Sequence, residues 1–270
     1  MNKTILITGA SSGIGKETAK LFQQKGWNVV ATMRKPEKET ELTELDNALV
    51  TQLDVLDLDS IQNAIEEGIN RFGKIDVLVN NAGFGAYGPL EVFPRENILR
   101  QFNTNVIGLL DVTRALIPHF RKNKNGVIVN ISSIGGKMTF PLGSLYHGTK
   151  FAVEGISEAL HFEMEPIGVK VKIVEPGMIA TDFGGRSFDF QAGDIADYQP
   201  IIGALMKVWQ GGDLKPSPAS LVADVIYQAS TDESTTLRYR AGSDANFLLD
   251  NRKKMNEDEF INMIKEQYGL

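Results

Sequence analysis

The sequence predicts a single α/β domain in which a doubly wound parallel β-sheet carries helices on both faces. Three observations predict it. Strand-like and helix-like segments alternate along the chain, the order that builds a parallel sheet through helical crossovers. Most strand segments are continuous apolar runs, as strands buried on both faces require. The residues just past the strands are polar or glycine-rich, which suits a ligand cleft at their carboxyl ends.

Each element has its own signal. Residues 3–8 form an apolar run that stops at Gly9, and GASSGIG leads into a helix with Ile14, Thr18, Leu21 and Phe22 as its apolar stripe. Gly26 ends that helix and residues 27–33 make the second strand. A strand, a glycine turn, a helix and a strand in about thirty residues is a βαβ unit. The charged stretch 34–46 reads as a surface helix with a loop. Strand three is 48–53, followed by Asp54, and 58–72 is helical. Strand four, 75–80, runs into Asn-Asn-Ala-Gly at 80–83.

Pro94 suits the first position of a helix that reaches about Asn105. A longer helical pattern spans 108–121, with Pro118 near its end. Residues 127–132 are strand five. A helix over 146–165 is ended by Pro166 and Gly168, and strand six, 169–175, ends at Pro176–Gly177. From 181 to about 215 periodicity is poor and aromatics are frequent. Ser217 reads as an N-cap with Pro218 at N1, and 236–241 as a last strand. A polar tail, 243–270, holds a final helix in which Asn256 and Glu259 have capping-box spacing.

The chain has 270 residues, 42% of them hydrophobic, enough for one sizeable core. Its net charge of −6 and the lack of a basic block argue against a nucleic-acid partner. Without cysteine there is no disulfide, thiolate metal site or thiol nucleophile. Three scattered histidines, His119, His147 and His161, make a histidine-rich metal site improbable. The amino-terminal residues lack the apolar stretch of a signal peptide and no apolar run is long enough for a membrane span. The expected location is the cytoplasm, with no membrane partner.

Two stretches carry chemistry. Gly9, Gly13 and Gly15 sit between a strand and a helix, where glycine lets the backbone turn and approach a pyrophosphate at the helix N-terminus. The bland alternative is an ordinary glycine-rich βα turn. Tyr146 and Lys150 are one helical turn apart and share a face. An ammonium beside a phenol favours the phenolate and lowers the tyrosine pKa from about 10. By itself such a pair is more often a solvated helix face.

Taken together, in order and at strand ends, the motifs resemble those of the short-chain dehydrogenase/reductase family. The residues that carry the resemblance are Thr8–Gly15, Asn80–Gly83, Asn105, Ser133, Tyr146 with Lys150, Pro176–Gly177 and Thr181. Their spacing is similar to the compact single-domain branch over roughly residues 3–182, and the context to its hydroxysteroid- and retinol-dehydrogenase-like subset. The resemblance implies a Rossmann sheet, a nicotinamide cofactor and a Ser–Tyr–Lys site of Ser133, Tyr146 and Lys150, with Asn105 holding a relay water. It implies cofactor contacts from Gly9, Ser11, Ser12, Gly13, Ile14 and Gly15, from Asp54 and Val55 at the adenine, and from Asn81, Ala82 and Gly83. Tyr146 and Lys150, and beyond strand six Pro176, Gly177, Ile179 and Thr181, complete the set. It also implies a homodimer or homotetramer, partly through the helices at 94–122 and 146–167.

Where NAD-preferring members carry an acid at the end of strand two, this chain has Met33, Arg34 and Lys35. A guanidinium there can grip a 2′-phosphate bidentately, so the expected cofactor is NADP(H), with Lys16 and Ser12 in support. The family's serine-to-tyrosine spacing implies Ser133, not Ser132, as the catalytic serine. His147 is expected to face solvent or the substrate mouth. The stretch 183–215, with Phe183, Phe188, Phe190, Tyr198 and Trp209, is expected to fold over the cleft as a lid. Phe84, Tyr87, Phe140, Leu142 and Leu145 are expected neighbours. Such walls favour a bulky apolar ketone or aldehyde. The alternatives are an NAD-linked alcohol dehydrogenase or an epimerase on the same scaffold, and a non-catalytic NADPH-binding sensor.

Overall fold

The computed structural model describes residues 2–181, 187–210 and 216–270. Among the described residues the order is β1 (Thr4–Ile7), α1 (Gly13–Gln24), β2 (Asn28–Met33), β3 (Ala48–Gln52), α2 (Leu58–Phe72), β4 (Val77–Asn80), β5 (Gly85–Tyr87), α3 (Arg95–Phe102), α4 (Gly108–Asn123), β6 (Gly126–Ile131), α5 (Ser144–Met164) and β7 (Val169–Pro176). Then follow β8 (Ile179–Ala180), β9 (Phe188–Phe190), α6 (Gln199–Gln210), β10 (Ser217–Pro218), α7 (Ala219–Thr231), β11 (Arg238–Ala241), α8 (Ser243–Lys254) and α9 (Glu257–Tyr268).

The main sheet has seven strands in the order β11-β7-β6-β4-β1-β2-β3, and every pairing is parallel. Alternate residues of its strands enter two different cores. Ile5, Ile7, Val29, Ala31, Val77 and Val79 face one side with Phe22 of α1 and Val222 of α7. Leu6, Val30 and Leu78 face the other with Ile61 of α2 and Leu116 of α4. Both faces are dry, so the strands read as continuous apolar runs. The strand order reverses at β1, whose neighbours are β4 and β2, and this is where such sheets open a ligand crevice.

A third apolar cluster joins the carboxyl-terminal stretch to the rest. Leu248 and Leu249 of α8 and Phe260, Ile264 and Tyr268 of α9 pack with Leu205 of α6 and with Ile134 and Met138. The stretch expected as a polar tail therefore buries one face of each of its two helices. Asn256 and Glu259 form the expected capping box.

Several local expectations are corrected. The segment 34–46 is not a helix but two short 3-10 turns, Pro36–Lys38 and Leu42–Glu44. Its shape is set by buried Glu39, which accepts from the amides of Glu41 (2.9 Å) and Leu42 (3.0 Å). Ser217 is not an N-cap: it pairs with Ile179 as strand β10, and Pro218 holds the cap position of α7. Helix α5 starts two residues earlier than Tyr146, at Ser144. No correction applies to the stretch 183–215, where β9 pairs with β5 and α6 follows; Phe183 lies outside the described residues. Among the described residues no helix is long and apolar enough to cross a membrane.

Candidate active site

The glycine turn after β1 is locked to the end of β4. The Thr8 hydroxyl accepts from the amides of Asn81 and Ala82, both at 3.0 Å. The Asn81 side-chain amide donates back to the carbonyls of Thr8 (2.9 Å) and Gly9 (3.1 Å). This close approach demands glycine: a Cβ on Gly15 would lie 2.5 Å from both Asn81 Nδ2 and the Gly9 carbonyl. Gly9 itself takes φ +69°, a left-handed conformation that glycine adopts without steric cost.

At the start of α1, Ser12 is extended and makes no side-chain cap, and the first turn holds no acid. The helix therefore presents uncapped amides and its positive end to the cleft, which fits a phosphate group. The fit to a dinucleotide is thus built from the bare cradle at Gly9, Gly13, Ile14 and Gly15 and the open helix end behind Ser11 and Ser12. Thr181 closes on the same loop, its methyl 3.3 Å from where a Gly13 Cβ would stand.

Beyond β7, the turn Pro176–Gly177 leads into Ile179 of β8. The Gly177 amide donates to the Ala241 carbonyl at 3.0 Å, and the Met178 amide donates to Asp244 Oδ2 at 2.6 Å. Asp244, in the first turn of α8, was not marked by the sequence reading. Its only sequence signal is a carboxylate just past a glycine at a helix start. Thr8 was also missed as a positioning residue.

At the end of β2, Arg34 and Lys35 are exposed. Among the described residues Arg34 makes no hydrogen bond or ion pair, so its guanidinium is available to an anion. Lys16, expected to assist it, is instead held by Glu39 (3.1 Å) and Glu41 (2.7 Å). At the end of β3, Asp54 Oδ1 accepts from the Leu56 amide at 3.1 Å, a local turn that uses one carboxylate oxygen. Val55 is buried beside Gly108 of α4.

Asn80 supports the ends of the sheet, donating to Thr113 (2.8 Å) and to Asn130 on the adjacent strand (2.9 Å). Asn105 lies in a π-turn, Asn103–Ile107, between α3 and α4. Its side chain brackets Phe84, accepting from the amide (3.0 Å) and donating to the carbonyl (2.8 Å), and also donates to Thr149 (3.1 Å). Asn105 thus holds the segment after Gly83 against α5.

Ser133, Tyr146 and Lys150 converge. The Ser133 hydroxyl is close enough to Tyr146 to lower its pKa and accepts from the Gly135 amide at 3.0 Å. The Lys150 ammonium donates to the Ile131 carbonyl at 2.8 Å and stands 5.8 Å from the centre of the Tyr146 ring. Burial lowers the Lys150 pKa to about 8, opposed by the charge of Glu154. The expectation that Lys150 lowers the Tyr146 pKa is not met: burial pushes it up, and the Ser133 hydroxyl pulls it down by less. Tyr146 is therefore a neutral phenol with its proton in place at neutral pH. Ser132 is buried beside Ser133; its amide donates to the Val174 carbonyl at 2.8 Å and its hydroxyl to the Ser133 carbonyl at 3.5 Å.

His147 departs most from expectation. It is buried, with neither ring nitrogen turned to solvent. Nε2 accepts from the Phe140 amide at 3.1 Å, which leaves Nδ1 protonated to donate to the Gly135 carbonyl at 3.0 Å. The ring staples the loop that follows Ser133 to the helix that carries Tyr146. Burial lowers its pKa to about 4, against the bond to Gly135.

The walls are aromatic. The Tyr87 ring lies 5.5 Å from Tyr146, 5.5 Å from Phe188 and 5.3 Å from Trp209. Phe84 and Leu145 are packed with Phe93 in a small cluster beside them, and Phe140 and Leu142 border the third core.

Known proteins resemble this chain in sequence and fold. A family model described as short chain dehydrogenase matches residues 3–192. An uncharacterized oxidoreductase of Schizosaccharomyces pombe is 48% identical over 243 residues, 88% of this chain and 100% of its own length. A short-chain dehydrogenase from Streptomyces avermitilis superposes with a TM-score of 0.86 at 34% identity, covering 100% of this chain and 99% of its own. ElxO, solved with NADP bound, superposes at 0.73 with 30% identity over 89% of this chain and 98% of its own. The 3-ketoacyl-(acyl-carrier-protein) reductase of Brucella melitensis, solved with NADH, gives 0.72 and 29% over 89% and 97%. The chain belongs to the short-chain dehydrogenase family, as an oxidoreductase that interconverts alcohol and carbonyl groups with a nicotinamide cofactor.

Proposed function

We propose that the protein is an NADPH-dependent reductase of bulky apolar ketones or aldehydes, running the reverse alcohol oxidation under oxidising conditions. The observation that carries this reading is the convergence of Ser133 and Tyr146 with Lys150 one turn further along α5, 5.8 Å from the Tyr146 ring. When bound, the nicotinamide supplies the hydride. Tyr146 gives its proton to the oxygen that becomes an alkoxide. Ser133 donates to the same oxygen, where negative charge grows. Lys150, anchored on the Ile131 carbonyl, places its positive charge beside the phenol as the proton leaves and holds the ribose hydroxyls. Asn105 fixes the Phe84 backbone and Thr149, and through them the relation of the cofactor edge to α5.

NADP(H) is favoured by the free, exposed guanidinium of Arg34 and by the absence of an acid at the end of β2. Substrate class follows from the Tyr87, Phe188 and Trp209 walls, which give a flat apolar group contact area and offer a sugar few partners. Assembly as a homodimer or homotetramer is supported by exposed apolar side chains on adjoining helices: Leu99 and Phe102 on α3, and Phe151 and Phe162 on α5. Phe102 lies against Gly148 of α5, so these side chains share one face.

The test is Tyr146→Phe, which keeps the ring and its packing. General acid catalysis contributes about 10²–10⁴-fold, so kcat for ketone reduction is expected to fall by that factor. Near-normal turnover would reject the scheme.

A further inference from the structure

Tyr87 is held more firmly than a wall residue needs to be. Its carbonyl accepts from the Gln191 amide at 3.0 Å, and the next residue's amide, Gly88, donates to the Leu142 carbonyl at 2.8 Å. Leu142 takes φ +63° to present that carbonyl, a conformation that a branched side chain adopts only under constraint. Around the ring stand Tyr146, Phe188 and Trp209, with His147 edge-on at 5.8 Å. A Cβ at Gly143 would come within 2.7 Å of it. The ring has one position.

Its hydroxyl has no hydrogen-bond partner among the described residues, although Tyr87 is only 7% exposed. The oxygen itself is not among the buried polar atoms that lack a partner, so it opens onto solvent and is free to bond a group that enters beside it. The phenol stays a donor at any working pH, because burial and the charge of Tyr146 both raise its pKa well above the usual value. In the proposed reaction the Tyr146 hydroxyl is taken up by the oxygen that is reduced. The cleft therefore holds a second, pre-positioned donor beside the catalytic one, with the Phe188 and Trp209 rings next to it.

We propose that Tyr87 is a specificity-determining residue whose hydroxyl donates to a second oxygen of the substrate, placed α or β to the carbonyl that is reduced. The inference rests on the carbonyl-reductase reading and narrows it. The substrate class becomes flat or bulky apolar compounds with two neighbouring oxygen functions, such as vicinal diketones, hydroxyketones or β-keto compounds. A lone ketone fills the aromatic wall but leaves the Tyr87 hydroxyl unpaired. A site built to bond a polar group discriminates against the analogue that lacks it.

The test uses two matched probes, 1-phenylpropane-1,2-dione and propiophenone, with wild type and Tyr87→Phe. NADPH oxidation gives kcat/KM for each. Quenching of tryptophan fluorescence, read in the Tyr146→Phe background, gives each Kd. A neutral hydrogen bond contributes about 0.5–1.5 kcal/mol. Tyr87→Phe is therefore expected to lower kcat/KM for the dione roughly tenfold, to weaken its binding similarly, and to leave propiophenone within about twofold. Equal effects on both probes, no effect on the dione, or no binding of the dione to wild type overturns the proposal. Reduction of both probes without a selective loss leaves the reductase reading standing and removes the role of Tyr87. A selective loss of dione binding without turnover of either probe keeps Tyr87 and removes the reductase reading.

Discussion

Replacing His147 with leucine should destabilise the fold by an amount that depends on pH. Leucine fills a similar volume but makes neither bond of the imidazole. The Gly135 carbonyl, buried, loses its donor and the Phe140 amide, half-buried, loses its acceptor. An orphaned buried polar group costs about 1–3 kcal/mol, and a part-exposed one costs less, so the loss near pH 8 is about 2–4 kcal/mol. The pH dependence follows from the lowered pKa, about 4 against the ordinary 6.5. A histidine that folds neutral contributes stability above its unfolded pKa and loses it as pH falls toward the folded value. Wild type should therefore lose about 2 kcal/mol between pH 8 and pH 5 through this residue, and the variant should not. Urea unfolding of both proteins at the two pH values reads the difference. The gap should narrow by about 2 kcal/mol at pH 5. A constant gap, or a variant as stable as wild type at pH 8, would refute the staple.

Two further outcomes follow from charges elsewhere in the fold. Glu175, buried on β7, has its pKa raised to about 7 by burial and by Glu154, with Arg238, Lys137 and Arg240 opposing. Here the folded state favours the neutral acid, so stability is lost as pH rises from the ordinary value of 4.5 through 7. Glu175→Gln should gain about 2–3 kcal/mol relative to wild type between pH 5 and pH 8. Parallel urea midpoints across that range would contradict it. At the end of β2, Arg34→Asp removes a bidentate phosphate contact of about 1.5–3 kcal/mol. The KM for NADPH should rise roughly ten- to a hundredfold while that for NADH falls, and an unchanged preference would remove Arg34 from the cofactor site.

The main sheet was legible because its strands are apolar on both faces, and Leu6 between Ile5 and Ile7 shows why alternation was absent. The glycine turn was legible because its position, between β1 and α1, restricts what it can do. His147 was misread because helical spacing says only that it lies off the face of Tyr146, not what that other face packs against. Its partners, Gly135 and Phe140, come from a loop whose path the sequence does not show. The acidity of Tyr146 was misjudged for a related reason. A neighbouring charge can be read from a spacing of four residues, whereas burial depends on Tyr87 of β5 packing against the ring, a contact across 59 residues of chain. The charges of 34–46 suggested a helix, yet Glu39 folds inward to bond two amides and Lys16. Asp244 was invisible because its role, holding the turn after Gly177, spans 66 residues.

The most direct test of the central claim is NADPH oxidation with an aromatic ketone by wild type and Tyr146→Phe, each first titrated with NADPH by fluorescence. Removal of one hydroxyl should leave NADPH affinity within about twofold and lower kcat by about 10²–10⁴-fold. Retained turnover with unchanged NADPH affinity would show that Tyr146 is not the proton donor, and would contradict the account.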